Sequence, residues 1–189
     1  MTLVKNTKIL KSKGFWNYGI PAGRTCPKAG ACAEFCYAKK GNYTRFPTVK
    51  KAQMKRFKHT LSSTFVDDMI KHIKAKRTCS AIRIHDSGDF YHQSYLNKWT
   101  IIALNCPEVK FYCYTKSLHL NWKAFDALPN TKKIQSEGGK LDEEIDYDKP
   151  HARIFNDTTA LLSAGYVDCS VDDSIAANPD TIRVGLVVH

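Results

Sequence analysis

Ala81-Ile82-Arg83-Ile84-His85-Asp86-Ser87-Gly88-Asp89-Phe90 is the stretch that decides the fold. Ile82 and Ile84 alternate with Arg83, which is the period of a strand, and Ser87-Gly88-Asp89 breaks it. The period then changes. Leu96, Trp99, Ala103 and Cys106 recur at i, i+3, i+7 and i+10, one face of a helix that Pro107 stops. Residues 109–114 (VKFYCY) read as the next strand. Strand, helix and strand in this order form the unit of an α/β fold with a mainly parallel sheet.

The same alternation extends both ways. Residues 14–20 (GFWNYGI) read as a first strand, broken by Pro21-Ala22-Gly23. Residues 48–61 look helical, and Phe65, Val66, Met69, Ile70 and Ile73 give 65–76 helical spacing. Downstream, 122–128 reads as a short helix, 132–135 as a strand, 141–148 (LDEEIDYD) as an acidic surface loop, 152–155 as a strand, 158–164 as a helix and 182–188 as a terminal strand. About six strands suit a partial (β/α) barrel, since a complete eight-unit barrel takes about 250 residues. No repeat or Pro/Gly/Ser linker divides residues 1–189, so a single domain is expected. In such a fold the chemistry belongs at the carboxyl ends of the strands, where three segments fall: a cysteine loop, Asp86–Asp89 and Thr115–Ser117.

With 43% hydrophobic and 25% charged residues, the composition excludes disordered, collagen-like and fibrous classes. No run approaches the roughly 18 apolar residues of a membrane span. Residues 1–13 carry lysines with no apolar run after them, which argues against a signal peptide and for a cytoplasmic location. In that setting a disulfide framework is the weaker reading of the seven cysteines. The net charge of +11 favours phosphate-bearing partners, nucleic acid included. Lys50, Lys51, Lys55, Arg56, Lys58, Lys71, Lys74, Lys76 and Arg77 could track such a backbone, or they form the solvated exterior of two helices.

Cys26, Cys32 and Cys36 lie within eleven residues at the spacing C-x5-C-x3-C. Three thiolates on one irregular loop can each ligate one iron of a cubane cluster, leaving the fourth iron open to a small molecule or a distant ligand. Arg24, Lys28, Lys39 and Lys40 would offset the thiolate charge, and Phe35 and Tyr37 could shield the site. The competitors are zinc, which wants a fourth ligand from Cys79, Cys113, Cys169 or His85, and three reduced thiols with no metal. The scattered Cys79, Cys106, Cys113 and Cys169 read as buried small hydrophobes.

Ser87, Gly88 and Asp89 offer backbone groups and a carboxylate to an ammonium or hydroxyl of a small ligand. Alternatively, Ser87 or Asp89 caps the following helix. Thr115 and Ser117 could bond a ribose and Lys116 an anion, or the segment is a polar turn. Glu137-Gly138-Gly139 follows the fourth strand and could approach the same ligand; His85 could be a ligand or a proton donor, or a satisfied polar group at a strand end, and nothing in the sequence assigns His189 a role.

Taken in order, Ile20-Pro21-Ala22-Gly23-Arg24-Thr25-Cys26-Pro27, then Cys32, Cys36-Tyr37-Ala38, the run from Arg83 to Phe90, and Tyr114-Thr115-Lys116-Ser117 resemble the bacteriophage family known as gene product eighty-eight, over residues 14–120. The layout is also similar to radical S-adenosylmethionine (SAM) proteins. That resemblance implies a [4Fe-4S] cluster on Cys26, Cys32 and Cys36, an aromatic residue, Phe35, before the last cysteine, and SAM contacts at Ser87, Gly88 and Asp89. The chain departs from the usual radical SAM spacing C-x3-C-x2-C, and has Ser-Gly-Asp where Gly-Gly-Glu is common. Three functions follow as expectations. One is a SAM-binding radical enzyme with an unknown small molecule at the open iron. Another is a non-catalytic cluster protein that works with an electron donor or senses redox state. The third is a basic nucleic-acid-binding protein with a structural metal.

Overall fold

In a computed structural model that describes residues 3–5, 14–34 and 36–188, eight strands form one sheet. They are Val4–Lys5 (β1), Phe15–Tyr18 (β2), Ala81–Ile84 (β3), Lys110–Thr115 (β4), Thr131–Ser136 (β5), His151–Phe155 (β6), Val167–Asp168 (β7) and Arg183–Val187 (β8). The order is β1-β2-β3-β4-β5-β6-β8-β7, and every pairing is parallel except β1 with β2. The fold is therefore a mixed α/β single sheet with more strands than the six expected. The two extra strands have two residues each, too short to show a period.

Helices Asn42–Arg45 (α1), Pro47–Thr60 (α2) and Phe65–Lys74 (α3) lie between β2 and β3, Gln93–Leu104 (α4) between β3 and β4, Lys123–Asp126 (α5) between β4 and β5, and Thr158–Ser163 (α6) between β6 and β7. From β2 to β6 the strand order never reverses. Right-handed crossovers then place successive connections on the same face. Ile82, Ile84, Phe111 and Cys113 face it and pack with Phe65, Met69 and Ile73 of α3, Leu96, Trp99 and Ile102 of α4, and Phe125 of α5. Trp99 meets Tyr18, Phe65 and Phe111 edge-on, with ring centroids 5.3, 5.8 and 6.4 Å away.

Among the described residues, no second layer of helices covers the opposite face. There Tyr112, Ile134, Ala152 and Val184 pack against Cys169, Ala176 and Ala177 from the connection between β7 and β8. Asp173 on that connection accepts hydrogen bonds from Arg83 Nη1 (2.9 Å), Tyr112 Oη (2.8 Å) and Tyr114 Oη (2.8 Å). Lys132 Nζ donates to the carbonyls of Asn178 and Thr181. Among the described residues, no helix is long and apolar enough to cross a membrane.

Candidate cysteine-loop site

The loop that leaves β2 is stitched at once to the end of β3. Ile20 N donates to the Ser87 carbonyl and Ser87 Oγ donates back to the Ile20 carbonyl, both at 2.9 Å. One turn later Asp89 N donates to the carbonyl of the fully buried Thr25 at 3.1 Å. Gly88 sits at φ +85°, and a Cβ there would lie 2.6 Å from Thr25 Oγ1 and 2.9 Å from the Ile20 carbonyl oxygen. Glycine is required because two backbones cross with no room for a side chain. The residue before Cys26 is thereby fixed against the tip of β3.

Asp89 closes the next junction. Its Oδ1 accepts from Phe90 N and Thr115 Oγ1 at 2.7 Å, and its Oδ2 from Lys116 N at 2.9 Å. Burial pushes this carboxyl up, against the pull of the hydrogen bonds from Lys116, Thr115 and Phe90. Ser117 Oγ donates to the Phe90 carbonyl at 2.7 Å, and Ser117 N donates to Thr115 Oγ1 at 3.0 Å. Ser87, Asp89, Thr115 and Ser117 are all buried. The segments read from sequence as ligand-facing do converge, but in this structure their side-chain polar atoms are engaged with one another and with the chain. Lys116 Nζ continues the chain of contacts to Ser136 Oγ at the end of β5 (2.7 Å).

The floor of the loop comes from residues after β5. Gly30 N and Cys32 N both donate to the Gly138 carbonyl, at 3.2 and 3.1 Å, Lys140 N donates to the Lys28 carbonyl, and Ala29 bridges Gly139. Gly138 has φ +88°, and a Cβ on it would come within 3.3 Å of the Cys32 Cβ. Asp142 holds this turn by accepting from Gly138 N and Gly139 N at 2.8 Å each. The acidic run expected as a plain surface loop therefore supports the cysteine loop and buries Ile145. It could not be read as such because a carboxylate capping two glycine amides has no periodic signature.

Cys26, Cys32 and Cys36 are free and half-buried. Burial pushes the Cys26 thiol up to about 11, and negative charge on Asp89, Cys36 and Cys32 adds to the rise. Among the described residues, no three His, Cys, Asp or Glu side chains are gathered to hold a single metal ion. Such an ion needs sulfurs at about 2.3 Å from one centre. A cubane differs in spreading three thiolates over three irons rather than one centre.

The expected fourth ligands lie elsewhere. His85 and Cys113 are buried on the helix-covered face. Cys79 precedes β3, near Cys106 and Glu108, and Cys169 belongs to the opposite face. Cys106, Cys113 and Cys169 are buried, and Cys79 packs partly buried against the core. His119, two residues beyond Ser117, is the imidazole sequence reading missed. Its side chain is exposed; desolvation and then the Lys28 charge lower its pKa, against the negative charge of Asp89 and Glu144. Its position in the same post-strand segment as Ser117 was the available signal. Phe35 and His189 lie outside the described residues, and the Tyr37 side chain is likewise not described.

Three free cysteines thus lie on the loop that follows β2 of a single mixed α/β sheet. The profile of the family described as Gene product 88 matches residues 1–186, and the chain belongs to that bacteriophage family. It is similar to the Gene 88 proteins of Mycobacterium phage L5 and Mycobacterium phage D29, each 30% identical over 115 residues, which cover 52% of this chain and 46% of the relative. The matched chain thus spans about half the length of those relatives. No solved structure matches.

Proposed function

We propose that this phage protein holds a [4Fe-4S] cluster on Cys26, Cys32 and Cys36 in a radical-SAM-like partial barrel, in the host-cell cytoplasm. The observation that carries the reading is the seating of the loop. Three free thiols on one loop sit against Gly88 and Gly138 at the end of a parallel sheet whose order runs without reversal from β2 to β6. When bound, such a cluster carries one electron and, with three thiolate ligands, leaves one iron open to a small molecule. The chain's own residues do the rest. The Gly138 carbonyl fixes the backbone at Cys32, and Asp142 fixes Gly138. Lys28, Arg24, Lys39 and Lys40 supply positive charge along the loop. Cys26 must lose its proton to become a ligand, so loading weakens as pH falls.

SAM is the narrower proposal. Asp89 is buried and already accepts three hydrogen bonds, which leaves one acceptor position, on Oδ2, for the SAM amino group. We therefore make SAM an outcome of the test: a radical enzyme if the cluster responds to it, an electron carrier or redox sensor if not.

The test is anaerobic purification with iron, sulfide and zinc assays and EPR of the dithionite-reduced protein, with and without SAM. Iron and sulfide near a cubane's content are expected. Cys26→Ala, Cys32→Ala and Cys36→Ala should each abolish the cluster, while Cys79→Ala and Cys106→Ala should retain it. Zinc without sulfide, or iron lost on Cys106→Ala with the fold intact by circular dichroism, would overturn the reading.

A further inference from the structure

The net positive charge of this chain comes from its first 77 residues. Residues 1–77 hold 18 Lys+Arg against 3 Asp+Glu, while residues 78–189 hold 11 against 15. The excess is ordered on α2. Lys50, Lys51, Lys55 and Lys58 are all exposed and, at 100° per residue, fall within a 140° arc. The buried Gln53, Arg56 and Thr60 lie on the opposite side of the helix. Among the described residues, no salt bridge draws on these four lysines. Four like charges along one exposed stripe repel one another, so their arrangement calls for a polyanion.

An aromatic platform begins the stripe. Phe46, just before α2, is 47% exposed, and the Arg45 guanidinium lies over its ring at 5.9 Å. A basic track with an exposed ring fits a strand whose bases are unpaired, because every base has a face to stack and a duplex hides it. The helices that carry the track pack beside the cysteine loop and the strand ends that hold it. Tyr43 Oη on α1 donates to Asp86 Oδ2 at 3.2 Å, Arg56 Nε donates to the Gly19 carbonyl, and Arg24 in the loop lies over Phe57 of α2.

We propose that this face binds a single nucleic-acid strand, phosphates on the α2 lysines and a base on Phe46, and brings it to the mouth of the cysteine loop. That a strand would there become the substrate class rests on the cluster reading; the binding does not.

The experiment uses the full chain and fluorescein-labelled oligothymidylate and oligouridylate of about 20 nucleotides, longer than one 4–16-nucleotide site. A duplex of equal length and vesicles rich in phosphatidylserine are the competitors. Anisotropy is read between about 50 and 200 mM salt. The variant carrying Lys50→Gln, Lys51→Gln, Lys55→Gln and Lys58→Gln should bind at least tenfold more weakly, with a log–log salt slope shallower by about 3, at about 0.7 per phosphate contact. Phe46→Ala should weaken single-strand binding about 5- to 150-fold and leave the slope unchanged. Lys110→Gln with Lys123→Gln, on exposed lysines outside the stripe, should bind as wild type. The DNA and RNA probes then show which strand is preferred.

An unchanged affinity and slope in the four-lysine variant, with an unchanged melting curve, would overturn the proposal. So would tighter binding of duplex with no effect of Phe46→Ala, or vesicles outcompeting the oligonucleotides. Iron and sulfide are assayed on the same samples, so a preparation without sulfide that still binds separates failure of the cluster reading from failure of this one.

Discussion

The two faces of the sheet are built on different physics. On the helix-covered face, Ile82, Ile84, Phe111 and Cys113 meet a broad apolar layer, and Trp99 alone touches three other rings. Burial there is graded and redundant, so losing one group costs roughly what that group buried. On the opposite face a smaller cluster surrounds one carboxylate, Asp173, that accepts from Arg83, Tyr112 and Tyr114. One acceptor shared by three donors is not redundant, because its removal leaves every donor without that partner.

Two substitutions test the contrast by denaturant unfolding. Trp99→Ala removes the largest fully buried side chain and should cost about 3–5 kcal/mol. Asp173→Asn keeps the shape but loses the charge, and should cost about 1.5–3 kcal/mol, the range for hydrogen bonds to a charged group. The second loss should also be local. Asp173 anchors the connection between β7 and β8, so limited proteolysis of Asp173→Asn should cut within 169–181 before the rest of the chain. If Asp173→Asn instead cost more than Trp99→Ala, the carboxylate and not the apolar layer would dominate stability.

The same contrast explains what the sequence could show. The βαβ unit around β3, α4 and β4 was legible because its signal is local: period two, then period 3.6, then Pro107. The convergence of Cys26, Asp89 and Thr115 was legible from the rule that strand ends share one rim. What those polar groups do there was not. Ser87 bonds Ile20 across 67 residues, and Asp89 bonds Thr115 across 26, so their roles as clasps depend on pairings no local pattern encodes. The Arg83–Asp173 pair spans 90 residues and was invisible for the same reason. Gly138 was read only as a neighbour of a ligand, and its role with Asp142 under the cysteine loop was hidden, since a backbone carbonyl serving as a support carries no side-chain signature.

His85 sharpens the comparison, because it places a titratable ring on the apolar face. It leaves β3 at φ +69°, with its ring centroid 4.6 Å from that of Phe90, its Nε2 3.0 Å from Tyr95 Oη, and its Nδ1 buried with no hydrogen-bond partner. Burial, and secondarily the Arg83 charge, push its pKa down to about 3. Between the ordinary histidine value near 6.5 and this one, the unfolded chain binds a proton that the folded chain refuses, so stability falls as pH falls. Asp86 and Asp89, both raised by burial, work the other way, since the folded state takes up their protons first. The total pH profile therefore mixes opposite signs, and a difference measurement is needed. His85→Asn removes the titration and places at φ +69° a residue that tolerates left-handed backbone. From pH 7 to pH 5 the wild type should lose about 1–2 kcal/mol more stability than His85→Asn, while the carboxylates cancel between the two. Parallel curves would mean that His85 takes up its proton in the folded state, and that the helix-covered face admits water at the end of β3.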